Sequence, residues 1–130
     1  MSQEEIVFPE ESYKIVGAAF SVFNHLGWGL SEKDYQRALM EEFLSLELDA
    51  KREVYIPLQY KTANIGRYFA DFVINDRILV EIKVVPKLSY DHAKQVLTYL
   101  RIANLKLGIL VYFTKEGIKY RRILNSAVNY

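Results

Sequence analysis

The 130-residue chain contains no cysteine. Disulfides, thiolate metal centres and thiol nucleophiles are therefore excluded. It has only two histidines, His25 and His92. They are far apart in sequence and give no paired imidazole metal site. There is no Ser-His-Asp constellation and no glycine loop that would cradle a phosphate. No apolar run approaches the roughly 20 residues of a membrane-spanning helix. The opening Met-Ser-Gln-Glu-Glu is acidic and lacks the basic and apolar regions of a signal peptide. These absences lead us to expect a cytoplasmic protein that does not enter a membrane. No repeat, low-complexity tract or linker interrupts the chain, and its length suits one domain. We expect a flexible arm over 1–10 and one domain over 11–130.

What is present is unevenly spread. Residues 1–50 hold three Lys/Arg against ten Asp/Glu, whereas residues 51–130 hold fourteen against six. A basic second half suits a nucleic-acid partner. It equally suits acidic and basic faces that meet within the fold or between subunits.

Helical spacing of Ile15, Val16, Ala19, Phe20 and Phe23 predicts a first helix, with Ser12 as cap and Gly27 as terminator. Ser31 caps a second helix, and Asp34 completes a near capping box. That helix buries Tyr35, Ala38, Leu39, Phe43 and Leu46. Strands are predicted at about 53–60, 67–75 and 78–85, with turns at Thr62–Gly66 and Asn75-Asp76. A third helix follows over about 89–103, capped by Ser89 or Asp91. Strands at about 106–113 and 118–124 complete an α-α-β-β-β-α-β-β order.

Three charges interrupt strands that should be apolar: Asp71, Glu81 and Lys83. Glu81 and Lys83 are two apart and share a strand face. A two-residue turn at 75–76 would set Asp71 opposite Val80 and leave Glu81 on the other face. Bringing Asp71 and Glu81 together requires an odd-length or bulged connection, which we therefore predict. Two carboxylates at close range repel, and burying them unpaired is costly. A divalent cation with oxygen ligands removes both problems and supports attack of water on a phosphodiester. A nearby lysine can orient or deprotonate that water. A structural ion-pair network would use the same three residues.

The surrounding motifs carry a resemblance. Asp71 followed by Glu81-Ile82-Lys83 is similar to the D…(D/E)-x-K signature of the PD-(D/E)XK nuclease superfamily. Gln95-Val-Leu-Thr-Tyr99 resembles the Q-x-x-x-Y motif of its RecB-like branch. Gly29-Leu-Ser-Glu32-Lys-Asp-Tyr35 resembles the G-x-x-E-x-x-Y motif of a small bacterial family placed in that superfamily. The resemblance runs from about Ile15 to Leu124. It implies an α/β, restriction-endonuclease-like core of α-β-β-β-α-β order, with an extra N-terminal helix and a short C-terminal strand. It further implies Asp71 and Glu81 as Mg²⁺ ligands, with Mn²⁺ as the alternative ion. The Ile82 carbonyl would add an oxygen, Glu32 an accessory carboxylate, and Lys83 the catalytic amine. Gln95, Tyr99 and Tyr35 would support the site or touch nucleic acid. Trp28 stands where the family often has proline, and Phe69 where it often has arginine. The expected activity is hydrolysis of nucleic acid, DNA before RNA. A catalytically silent nuclease-like module, assembling as a homo-oligomer or binding nucleic acid, is the rival expectation.

Overall fold

The computed structural model describes residues 7–87 and 91–129. Helix α1 spans Pro9–Leu26, helix α2 Glu32–Ser45 and helix α3 Asp91–Ala103. Strands β1 to β5 span Ala50–Tyr60, Ala63–Ile74, Ile78–Val84, Leu107–Thr114 and Gly117–Leu124. The element order is the one expected from the sequence.

Helix α1 starts earlier than Ser12. Pro9 occupies its first turn, where a preset φ helps and a missing N–H costs nothing. Ser12 is instead buried, and Val7 packs in the core ahead of the helix. The Arg122 guanidinium donates to the Val7 carbonyl, and Arg77 lies over the Phe8 ring. Val7 and Phe8 are thus held against the domain, inside the stretch expected to be an arm. Helix α1 buries Ile15, Ala18, Ala19 and Val22, while Phe20 faces solvent against expectation. The Ser31 hydroxyl accepts from the Asp34 N–H at 3.1 Å, and the Asp34 carboxylate accepts from the Ser31 N–H at 3.4 Å. That reciprocal capping box fixes where α2 begins. The cap expected at Ser89 or Asp91 falls at the edge of the described residues, with Ser89 outside them.

The five strands form one sheet in the order β1-β2-β3-β4-β5. Among the described strands only β3 and β4 run parallel, and α3 lies in the crossover between them. β4 is buried along its whole length, as a central strand covered on both faces should be. Helices α1 and α2 cover one face over Phe72, Ile74, Val80, Ile82, Ile109 and Val111. Helix α3 covers the other, where Val96 and Leu100 pack on Leu79, Leu110 and Tyr112.

The first hairpin is longer than its sequence suggests. Tyr60 pairs with Ala63, so only Lys61 and Thr62 form the turn. Lys61 itself takes the left-handed conformation at φ 54°. The turn therefore makes no demand on Gly66, which sits within β2 opposite Leu58. The second connection contains three residues, because Ile74 pairs with Ile78. Asn75 and Asp76 both adopt positive φ, and Arg77 is the extra residue. Its N–H still closes the turn onto the Ile74 carbonyl at 3.0 Å. The odd-length connection required to bring Asp71 and Glu81 together is thus present.

Candidate active site

Register places Asp71 beside Glu81. The β2–β3 ladder pairs Ile74 with Ile78, Val73 with Leu79 and Phe72 with Val80. The next positions are Asp71 and Glu81, and there the main-chain ladder stops. The carboxylates take over its hydrogen bonds. The Asp71 N–H donates to Glu81 Oε2 at 2.7 Å, and the Ile82 N–H donates to Asp71 Oδ2 at 2.8 Å. Each strand thus offers an amide to the other's carboxylate across a fork.

A break in alternation accompanies the fork. Phe72 packs with α1 and α2, but Ala70 packs with α3, although strand periodicity would put them on one face. Opposite, Glu53 of β1 has φ 52°, a left-handed conformation inside a strand. Such irregular backbone is concentrated at functional sites.

Glu81 is buried at 4 % exposure. Burial, reinforced by the charge of Asp71, pushes its carboxyl up to about 7. Burial also raises Asp71, although the Ile82 amide and Lys83 oppose the shift. Glu32, in the first turn of α2, is raised by burial and then by Asp71. The Val84 amide and Lys83 stabilise its charge. The Lys83 ammonium acts on all three carboxylates. Three acids and one lysine from three elements therefore share one electrostatic neighbourhood.

The two strand carboxylates have different flanks. On the α2 side, Asp71 lines a cleft of about 410 Å³ with Glu32, Lys33, Gln36, Glu53 and Phe69. Lys33 is paired with Glu53 at 2.7 Å. Glu81 meets Tyr68 and Tyr99 on the α3 side. Those rings stack at 14°. The Tyr68 hydroxyl is buried beside Glu81 without a hydrogen bond of standard geometry among the described residues. Burial and then the Glu81 charge push it far upward. Tyr99 is raised for the same two reasons, while Gln95 hydrogen-bonds its side chain and opposes the shift. The Gln95–Tyr99 pair on α3 therefore backs Glu81, through Tyr99.

Tyr35 does not reach this site. It is fully buried and stacks on Phe113 with ring centroids 4.2 Å apart. Its hydroxyl donates to the Gly27 carbonyl and accepts from the Leu30 N–H. It ties the Gly27–Gly29 connection to the start of α2, and so holds Glu32 in place from behind.

The donor set fits a hard divalent cation. Asp71 and Glu81 supply carboxylate oxygens. The Ile82 carbonyl lies on the same strand edge as its N–H, which faces Asp71. All of these are oxygen donors of the kind Mg²⁺ and Mn²⁺ take. Among the described residues, no three acidic or imidazole side chains converge closely enough to form a three-ligand cluster. Glu32 accordingly stands back from the pair, beside Val84.

Sequence reasoning missed Tyr68, Lys33, Gln36 and Glu53. Strand parity puts Tyr68 on the opposite face from Asp71, and only the irregularity at the fork makes it a neighbour of Glu81. Lys33 follows Glu32 on the exposed part of α2, and no pattern linked it to Glu53.

Residues 9–123 match the model of the PD-(D/E)XK nuclease superfamily. The chain belongs to that superfamily. No curated protein matches it. Among solved structures it is similar to an alkaline exonuclease from Laribacter hongkongensis, at 12 % identity and a TM-score of 0.54. That match covers 95 % of this chain and 73 % of the other. A structure of that exonuclease in complex with dAMP matches at 14 % identity and a TM-score of 0.51. It covers 90 % and 83 % of the two chains. At these identities the likeness establishes a shared restriction-endonuclease-like fold. Among the described residues, no helix is long and apolar enough to cross a membrane.

Proposed function

We propose that the protein is a Mg²⁺-dependent nuclease that hydrolyses phosphodiester bonds, with DNA as substrate before RNA. The reciprocal hydrogen bonds of Asp71 and Glu81 across the fork carry this reading. They hold the buried Glu81 and the half-buried Asp71 side by side, with Lys83 as their shared cation. Membership of the superfamily and the likeness to a nuclease solved with a deoxynucleotide support it. The resemblance of Gly29–Glu32–Tyr35 and Gln95–Tyr99 to family motifs supports the G-x-x-E-x-x-Y, RecB-like branch within it.

Asp71, Glu81 and the Ile82 carbonyl would hold the cation, and Glu32 would act from the rim. A bound divalent cation would neutralise the site and polarise phosphate and water. Lys83, as the cation of the site, orients the attacking water and offsets charge that develops on the phosphate. Tyr68 and Tyr99 shield Glu81 from bulk water. Gln95 holds Tyr99 against it. The site serves a cytoplasmic protein that grips its substrate as a homo-oligomer.

The test is cleavage of labelled single- and double-stranded DNA and RNA with Mg²⁺, Mn²⁺ or EDTA. Glu81→Gln and Lys83→Ala should each lower the metal-dependent rate by a factor on the order of 10² or more. A wild-type protein that cuts nothing, or variants that cut as fast, would overturn the reading. One observation favours a silent nuclease-like module: each strand carboxylate already has a main-chain partner without any cation. That module would bind metal weakly and leave every substrate intact.

A further inference from the structure

Strand β3 pairs with β2 only from Phe72 to Ile74. Among the described residues, the β1–β2 hairpin from Ala70 to its turn therefore has no third strand on its β2 edge. Its even-numbered face carries Ile56, Tyr68 and Ala70 and packs with α3. Its odd-numbered face is open. There Tyr55 pairs with Phe69 and Pro57 with Arg67. The Tyr55 and Phe69 rings lie 5.6 Å apart and remain 50 % and 48 % exposed. Arg67 reaches over Phe69, with its guanidinium carbon 5.8 Å from the ring centroid.

We propose that Tyr55 and Phe69 form a stacking platform for unpaired nucleobases, which leads a single-stranded segment into the fork. The proposal rests on the nuclease reading and adds its substrate class. Three observations favour this occupant. Phe69 lines the same cleft as Asp71 and Glu32, so a strand lying on the platform continues directly to the carboxylates. The hairpin has Lys61 and Arg67 and no carboxylate between Val54 and Ala70, which suits a phosphate backbone. Aromatic faces interleaved with cations are the recurring means of holding single strands without reading sequence. A duplex keeps its base faces stacked internally and has none to offer along its length. A second copy docked symmetrically on this face would bring like charges from Arg67 and Lys61 together.

The test is fluorescence anisotropy in EDTA, where no cutting occurs, with a short labelled single strand and its blunt duplex. The Tyr55→Ala/Phe69→Ala variant should bind the single strand roughly 5- to 100-fold more weakly, while duplex binding stays as in wild type. Tyr55→Phe and Phe69→Trp keep a ring and should keep the affinity. The new indole of Phe69→Trp should be quenched by bound single strand. Unchanged affinity in the double variant, or equal loss for single strand and duplex, would overturn the platform. So would failure of the ring-keeping variants to bind, or light scattering in which the double variant only breaks a dimer. Cleavage is read separately. Tight platform-dependent binding without cutting would sink the nuclease reading alone, and cutting without platform dependence would sink the platform alone.

Discussion

Glu81 has almost no exposed surface, yet it sits beside another carboxylate. Its folded-state value of about 7 lies above the ordinary 4.5. The folded protein therefore keeps a proton that the unfolded chain releases between those values. Stability from this group is complete below pH 4.5 and is lost as pH rises through about 7. Without metal, the protein should lose on the order of 1–3 kcal/mol over that window through Glu81. Glu81→Gln keeps an oxygen for the Asp71 amide and removes the charge. Its melting temperature should fall less over the same range and exceed that of wild type above pH 7. Scanning calorimetry across the window checks this, and parallel profiles for the two proteins would refute it. Added Mg²⁺ should stabilise wild type most at the alkaline end and Glu81→Gln little. At this scale the sequence was informative about chemistry. Asp71, Glu81 and Lys83 stand out because charges are rare in strands of Val, Ile and Phe. Tyr68 did not stand out, because its partner Tyr99 lies on a distant helix.

Helix α3 approaches the sheet closely at Gly108 of β4. A Cβ there would lie 2.8 Å from Val96 Cγ1 and 3.2 Å from Leu100 Cδ1. Val96 is β-branched and held in one helical rotamer, so it has little room to yield. Gly108→Ala should destabilise by about 1–3 kcal/mol, read as a lower urea midpoint at unchanged slope. A midpoint equal to that of wild type would mean that α3 can shift. Because α3 also carries Gln95 and Tyr99, the same variant should loosen the backing of Glu81. Most elements were legible from periodicity and caps. The capping box at Ser31 and the three-residue connection after Ile74 followed from local chemistry and parity. The start of α1 and the Lys61-Thr62 turn did not. Pro9 outcompeted Ser12 for the first turn, and cross-strand pairing carried Ala63 through Gly66 into β2.

One sheet separates two apolar clusters, one under α1 and α2 and the other under α3. Each cluster uses alternate side chains of the same strands, so neither can melt while the other stays packed. Leu39→Ala on one side and Leu100→Ala on the other should each cost about 2–5 kcal/mol. Both should leave a single sharp transition. A variant that unfolds in two steps would show that the clusters are independent. By itself, the sequence determined the element order and singled out Asp71, Glu81 and Lys83 as charges out of place in apolar strands. These are local properties, set by side-chain period, capping and the misfit of charge in an apolar strand. Tertiary structure alone decided that the β2–β3 ladder gives way to carboxylates at Asp71 and Glu81. It alone brought α2 and α3 to the fork from opposite sides and left one face of the β1–β2 hairpin open. Those outcomes depend on contacts between segments far apart in the chain, and no local period encodes them.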